Sequence, residues 1–192
     1  RHLVDPLQTI LHSFKPTIAQ VEGWCIGGGM YISLCCDITI AAENAKISHR
    51  ENRLAFAGNV FVLPIEILLI GQKKARELYL TGETISGKEA ERIGLINKAV
   101  PRAKLWEEAK RYAKAISLNS RDAIAIGKAF TQGCYDMLGM TTGLTYGYIG
   151  HSFATNLRFE PDEYNFIKQR EKKGAKAAFH GLHDRFKQLG FE

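Results

Sequence analysis

Two regimes of apolar patterning divide the chain. Up to about residue 100, apolar residues come in short runs broken by glycine, proline and charge, such as Ile18–Val21 and Ile38–Ala41. Beyond Pro101 they recur at the three- and four-residue spacing of amphipathic helices. Short apolar runs of this kind predict buried strands, and their alternation with helical stretches predicts a layered α/β part. In order, the pattern predicts a helix over 2–13, ended by Lys15 and Pro16, and a central strand over 17–22. After Gly27, Gly28 and Gly29 it predicts a helix over Met30–Cys36 that is apolar nearly all round and therefore buried. Strands follow at 38–41 and 46–48, with Glu51 in the turn beyond, and then an apolar stretch to Ile70 read as a loop and a short helix.

Gly71 punctuates that stretch, and a helix is expected over Lys73–Leu80. Ser86 and Glu89 have the spacing of a capping box for a helix ending at Arg92, before an extended Leu95–Val100. Helices follow over about 104–117, from Ser120 to Gly127 or beyond, and with glycine interruptions to about Phe153. The last forty residues read as polar-basic helix carrying Tyr164, Phe166, Phe179 and Phe186, either docked on the chain's own core or facing another subunit. A boundary near Pro101 separates residues 1–100 from a helical 101–192.

Composition narrows the function classes. Apolar residues make up 45% and charged residues 24%, as in globular proteins. No apolar run is long enough to span a bilayer, and the first residues have no signal-peptide core, so neither a membrane role nor secretion is expected. The opening residue is Arg1 rather than Met, which reads as a fragment or a late start. Cys25, Cys35, Cys36 and Cys134 have no metal-ligand spacing, and buried free thiols in a reducing compartment are expected. The formal charge is +6, with Lys168, Arg170, Lys172, Lys173 and Lys176 crowded together near the end. Glu160, Asp162, Glu163, Glu171 and Asp184 are interspersed there, so the segment reads as a solvated helix and no nucleic-acid partner is expected.

Three stretches, KPTIAQVEGWCIGGG, CCDITIAAENAKI and LTGETISGKEAERIGLINKAVP, resemble the crotonase (enoyl-CoA hydratase/isomerase) superfamily in motif, order and spacing. The resemblance runs from Lys15 to about Phe186. It implies an α/β fold, a spiral of ββα units with a helical C-terminal trimerisation region. Residues 1–100 would form the C-terminal half of the spiral core, and 101–192 an oligomerisation and CoA-covering region. It implies an acyl-CoA substrate, coenzyme A as part of that substrate and no prosthetic group. A homotrimer or dimer of trimers in a bacterial cytoplasm or an organelle matrix would follow. It also implies a preceding ββα region, absent from this sequence, that carries the first oxyanion-hole N–H and much of the CoA pocket.

Residue by residue, the resemblance makes Gly28 an oxyanion donor, since a helix N-terminal N–H stabilises the charge of a thioester enolate. The alternative for Gly28 is a purely conformational turn. Hydratases of the family carry one glutamate two residues beyond the glycine turn and another twenty residues later. Here those positions are Tyr31 and Glu51. A phenol is a poor base at neutral pH but donates a hydrogen bond. A single acid, Glu51, suffices to move a proton between carbons, as isomerases do, and a ring-opening or thioester hydrolase or a CoA-binding member without catalysis are the alternatives. Glu51 is otherwise a surface or capping carboxylate beside Arg50 and Arg53. His49 polarises a substrate group or, more simply, is a structural histidine. Asn59 points into the acyl pocket or serves a turn. Arg185 and Lys187 match basic positions that face CoA phosphates, or are a solvated helix end.

Overall fold

A computed structural model describes residues 5–54, 62–153 and 158–191. The chain begins with α1 (Asp5–Leu11), β1 (Ile18–Val21), β2 (Trp24–Ile26), α2 (Gly28–Cys35), β3 (Ile38–Ala42) and β4 (Lys46–Ser48). It continues with α3 (Leu63–Thr81), β5 (Thr84–Ser86), α4 (Gly87–Arg92) and β6 (Lys98–Val100). The remainder is helical: α5 (Leu105–Ser117), α6 (Arg121–Met137), α7 (Met140–Phe153), α8 (Phe166–Lys173) and α9 (Ala175–Lys187). The fold is mixed α/β with parallel strands, flanking helices and a C-terminal helical region, as expected of a crotonase-like spiral.

The strands form two layers. One has the order β1-β3-β6 and is parallel throughout; in the other, β4 pairs in parallel with β2 and antiparallel with β5. β3 is the central strand, with Ile40, Ala41 and Ala42 wholly buried, which matches its unbroken apolar sequence. Its small residues let α4 sit directly on it. A Cβ added at Gly87 would come within 2.1 Å of the Ala42 carbonyl oxygen, so only glycine fits there. The loop between α2 and β3 is locked by Ser33 and Thr39, whose hydroxyls are 3.1 Å apart. The Thr39 hydroxyl also donates to the Ser33 carbonyl at 2.9 Å. Asp37 ties the same loop to the start of β1 by accepting from the Thr17 N–H at 2.7 Å, and it is ion-paired with Lys128 of α6.

The core joins strand and helix side chains, with Leu105, Ala109, Met140 and Leu144 in the same cluster as the β3 residues. A second cluster, Phe166, Ala178 and Leu182, lies between α8 and α9. Tyr164, Phe179 and Phe186 pack on it together with Leu54, so these aromatics dock on their own chain.

Several predicted elements differ in detail. α2 starts at Gly28 and not at Met30, because Gly27 alone of the three glycines has a positive φ, 56°, and the next two are already helical. The two helices expected around Gly71 are one element broken there by φ 75°, ψ 158°. The capping box at α4 is half formed. Ser86 accepts from the Glu89 N–H at 3.1 Å, but the Glu89 carboxylate is taken by Arg92.

Candidate active site

Parallel pairing builds the site. Ile26 is in register with Ser48, so β2 and β4 deliver their C-terminal ends to the same edge. The residues that leave those ends are the glycine turn and His49–Glu51. Gly27 caps α2, and the first hydrogen bond of that helix runs from the Tyr31 N–H to the Gly27 carbonyl at 2.9 Å. The N–H groups of Gly28, Gly29 and Met30 precede that bond and have no acceptor within the helix. Gly28 and Gly29 are exposed, while Met30 behind them is buried.

The Glu51 carboxylate abuts this turn. A Cβ added at Gly27 would lie 3.2 Å from its Oε1. One helical turn on, the Tyr31 phenol donates to the same Oε1 at 2.5 Å. Burial first, and then the Glu51 charge, hold that phenol protonated, far above its usual range. Tyr31 is therefore a hydrogen-bond donor to the acid.

His49 is 1% exposed. It stands behind Glu51, with Nδ1 4.0 Å from Glu51 Oε2. Its Nε2 is 2.7 Å from Oε2 of Glu66, a carboxylate with no exposure at all. Sequence reasoning missed Glu66. The available signal was an isolated acid in the otherwise apolar stretch VFVLPIEILLI, where a charge needs a partner.

Arg50 turns to the opposite side of the strand extension. It donates to Thr84 Oγ1 at 2.6 Å, with its guanidinium over the rings of Trp24 at 5.3 Å and Phe179 at 5.9 Å. Arg53 fastens α9 to the end of α3. It donates to the Thr81 carbonyl at 2.8 Å and to His183 Nδ1 at 3.0 Å, and lies 4.0 Å over Phe186. Burial, and then the neighbouring Arg50, bring its guanidinium down to about 10.

Arg185 lines a groove of about 730 Å³ together with Arg53, Arg158 and Tyr164, and its guanidinium lies 5.8 Å over the Tyr164 ring. Lys187 is exposed at the end of α9 and is not among the groove's lining residues. Asn59 lies outside the described residues. Burial pushes the Cys25 and Cys35 thiols up to about 11 and about 12, away from nucleophilic use. Among the described residues no His, Cys, Asp and Glu group is arranged to hold a metal, and no helix is long and apolar enough to cross a membrane.

Residues 1–145 match the family model described as enoyl-CoA hydratase/isomerase. The chain belongs to this family. Among relatives of the enoyl-CoA hydratase/isomerase family, a crotonyl-CoA hydratase of Syntrophomonas wolfei is 39% identical over 118 residues, 60% of this chain and 44% of that protein. A mitochondrial Delta(3,5)-Delta(2,4)-dienoyl-CoA isomerase of Dictyostelium discoideum is 40% identical over 107 residues, 55% of this chain and 36% of that protein. The chain thus spans about half, or less, of the length of the curated relatives it matches. The crystal structure of an enoyl-CoA hydratase/isomerase from Xanthobacter autotrophicus Py2 superposes with a TM-score of 0.84 at 29% identity, covering 95% of this chain and 67% of that one.

Proposed function

We propose that the chain transforms an acyl-CoA thioester by moving a proton, with Glu51 as the acid/base and the Gly28 N–H stabilising the enolate. The observation that carries this reading is the Tyr31–Glu51 hydrogen bond at the glycine turn. It places one carboxylate, held by a donor, beside the free N–H groups of a helix start. Glu51 takes a proton α to the thioester, or vinylogous to it, and the C–H electron pair delocalises onto the thioester oxygen. The negative oxygen is met by the Gly28 N–H and the positive end of α2. Returning the proton at another carbon completes a double-bond isomerisation. Hydration needs a second group to hold and activate water, and Tyr31 stands where the hydratases of the family carry that acid.

Arg185, with Arg53 and Arg158 along the same groove, suits the phosphates of coenzyme A, and Lys187 extends that basic end. Exposed apolar side chains on α6 and α7, among them Phe130, Met137, Tyr146 and Phe153, suit a homotrimer or dimer of trimers that buries them.

A panel of acyl-CoA thioesters incubated with the chain and with Glu51→Gln, read by mass and absorbance, tests the assignment. Isomerisation leaves the mass unchanged and shifts the absorbance, whereas hydration adds the mass of one water. Undiminished turnover by Glu51→Gln would remove Glu51 from its role.

A further inference from the structure

Glu66 is a buried acid that the proposed reaction does not use. It lies in the first turn of α3, where unsatisfied N–H groups and the helix dipole favour an anion. Its Oε2 is 2.7 Å from His49 Nε2. The other face of the imidazole looks at Glu51, with Nδ1 4.0 Å from Oε2. Among the described residues neither of those two atoms has a hydrogen-bond partner, although both are buried. The order of groups is therefore Tyr31, Glu51, His49, Glu66.

Two acceptors cannot sit 2.7 Å apart without a proton between them. With that proton on His49 Nε2 and Glu66 accepting it, Nδ1 of the neutral ring carries a lone pair. A lone pair facing a carboxylate gains nothing by closer approach, which accounts for a separation too long for a hydrogen bond. One added proton, on either Glu51 Oε2 or His49 Nδ1, turns the pair into a donor and an acceptor.

We propose that Glu66 and His49 are a positioning pair for Glu51, built to receive the proton that Glu51 removes. This rests on the reading of Glu51 as the base. The proton leaves carbon for the Glu51 carboxylate, and its electron pair stays on the substrate. With that proton on Oε2, the O–H donates to Nδ1. On transfer the O–H bond breaks, an N–H bond forms, and an imidazolium lies between two carboxylates. The reverse step restores the acid. Nothing else is consumed, and the burial of His49 and Glu66 keeps the proton from bulk water along this route.

The test is ¹⁵N NMR of the histidine-labelled full chain without substrate at neutral pH, with His49 assigned by the signals missing from His49→Gln. The wild-type ring is expected to carry its proton on Nε2. In Glu66→Leu no acceptor faces Nε2, so the proton moves to Nδ1 and points at Glu51. A wild-type ring protonated at Nδ1, or an unchanged tautomer in Glu66→Leu, overturns the proposal. If Glu66→Leu does not fold, Glu51→Gln decides, because its amide faces Nδ1: a displaced Nδ1 resonance supports the pairing and an unmoved one overturns it. In turnover, Glu66→Gln is expected to lower kcat roughly 10²-fold, the lower end of what a positioned proton-transfer group contributes, with KM little changed. A loss confined to KM would also overturn it. Full activity of Glu51→Gln would instead refute the base assignment, while the NMR result stands separately.

Discussion

Three adjacent glycines offer a sharp test, because the structure gives them different work. Gly27 has φ 56° and ψ −122°, a region that residues with a Cβ scarcely enter. Holding alanine there costs about 1–3 kcal/mol. The new Cβ would also meet Glu51 Oε1 at 3.2 Å, so the carboxylate has to retreat by a few tenths of an ångström. Gly28 and Gly29 are helical, and an added Cβ at either meets nothing within 4 Å. Alanine is intrinsically better than glycine in a helix by up to about 1 kcal/mol.

Gly27→Ala should therefore lose about 1–3 kcal/mol, while Gly28→Ala and Gly29→Ala stay level or gain slightly. For a chain of this size that is a fall of roughly 2–12 °C in Tm for the first variant alone. Turnover should fall in Gly27→Ala at least about tenfold, since misplacing a catalytic group by 1 Å costs about 10²-fold. Urea unfolding of the three variants, with initial rates measured well below each midpoint, separates stability from catalysis. Equal stability losses in all three would refute the assignment of the turn to Gly27. A destabilised Gly27→Ala with unchanged turnover would refute the proposed role of the carboxylate that abuts the turn.

Tyr31→Phe removes a donor to a charged acceptor. It should cost about 1.5–3 kcal/mol in urea unfolding and slow turnover; unchanged stability would contradict the hydrogen bond. Ser86→Ala deletes the α4 N-cap, with an expected loss of about 1 kcal/mol and no change in kcat; a change in kcat would show that α4 reaches the site. His183 accepts from Arg53, and burial, then Arg50 and Arg53, hold its basicity below the usual range. The unfolded chain thus binds a proton near pH 6.5 that the folded chain resists, so stability should rise with pH through that point and fall on acidification. His183→Asn should flatten that part of a Tm profile taken from pH 5 to 7.5, and an equally steep profile would rule out His183 as its source.

Most of the fold was legible because its signals are local. The glycine turn, the apolar run of β3 and the helical spacing after Pro101 each follow from a few neighbouring residues. Glu51 was singled out through the spacing that the family resemblance supplies, and the fold sets its carboxylate against the glycine turn. Glu66 was not, because its meaning depends on a contact with a residue seventeen positions earlier. The same holds for Arg50 and Arg53. As neighbours in sequence they suggested a charged surface around Glu51, yet their partners, Thr84 and Thr81, come from strand and helix ends that only the folded layers bring close. The register of β2 with β4 is likewise non-local, and it is what brings Gly27 against Glu51.

Replacing an acid by Tyr31 changes more than the number of bases. A carboxylate at hydrogen-bond distance from Glu51 would set two like charges together in a partly buried site, and one of them would have to hold a proton. A phenol there removes the repulsion and supplies the donor instead. Glu51 then has one oxygen fixed by Tyr31 and the other facing His49. Such an acid is held by one donor at Oε1, and among the described residues its Oε2 has no hydrogen-bond partner. Glu66, the other buried carboxylate of the site, is engaged by His49 and lies behind it. If Glu51 is the base, as proposed, a single donor-held carboxylate is what moving a proton from one carbon to another requires.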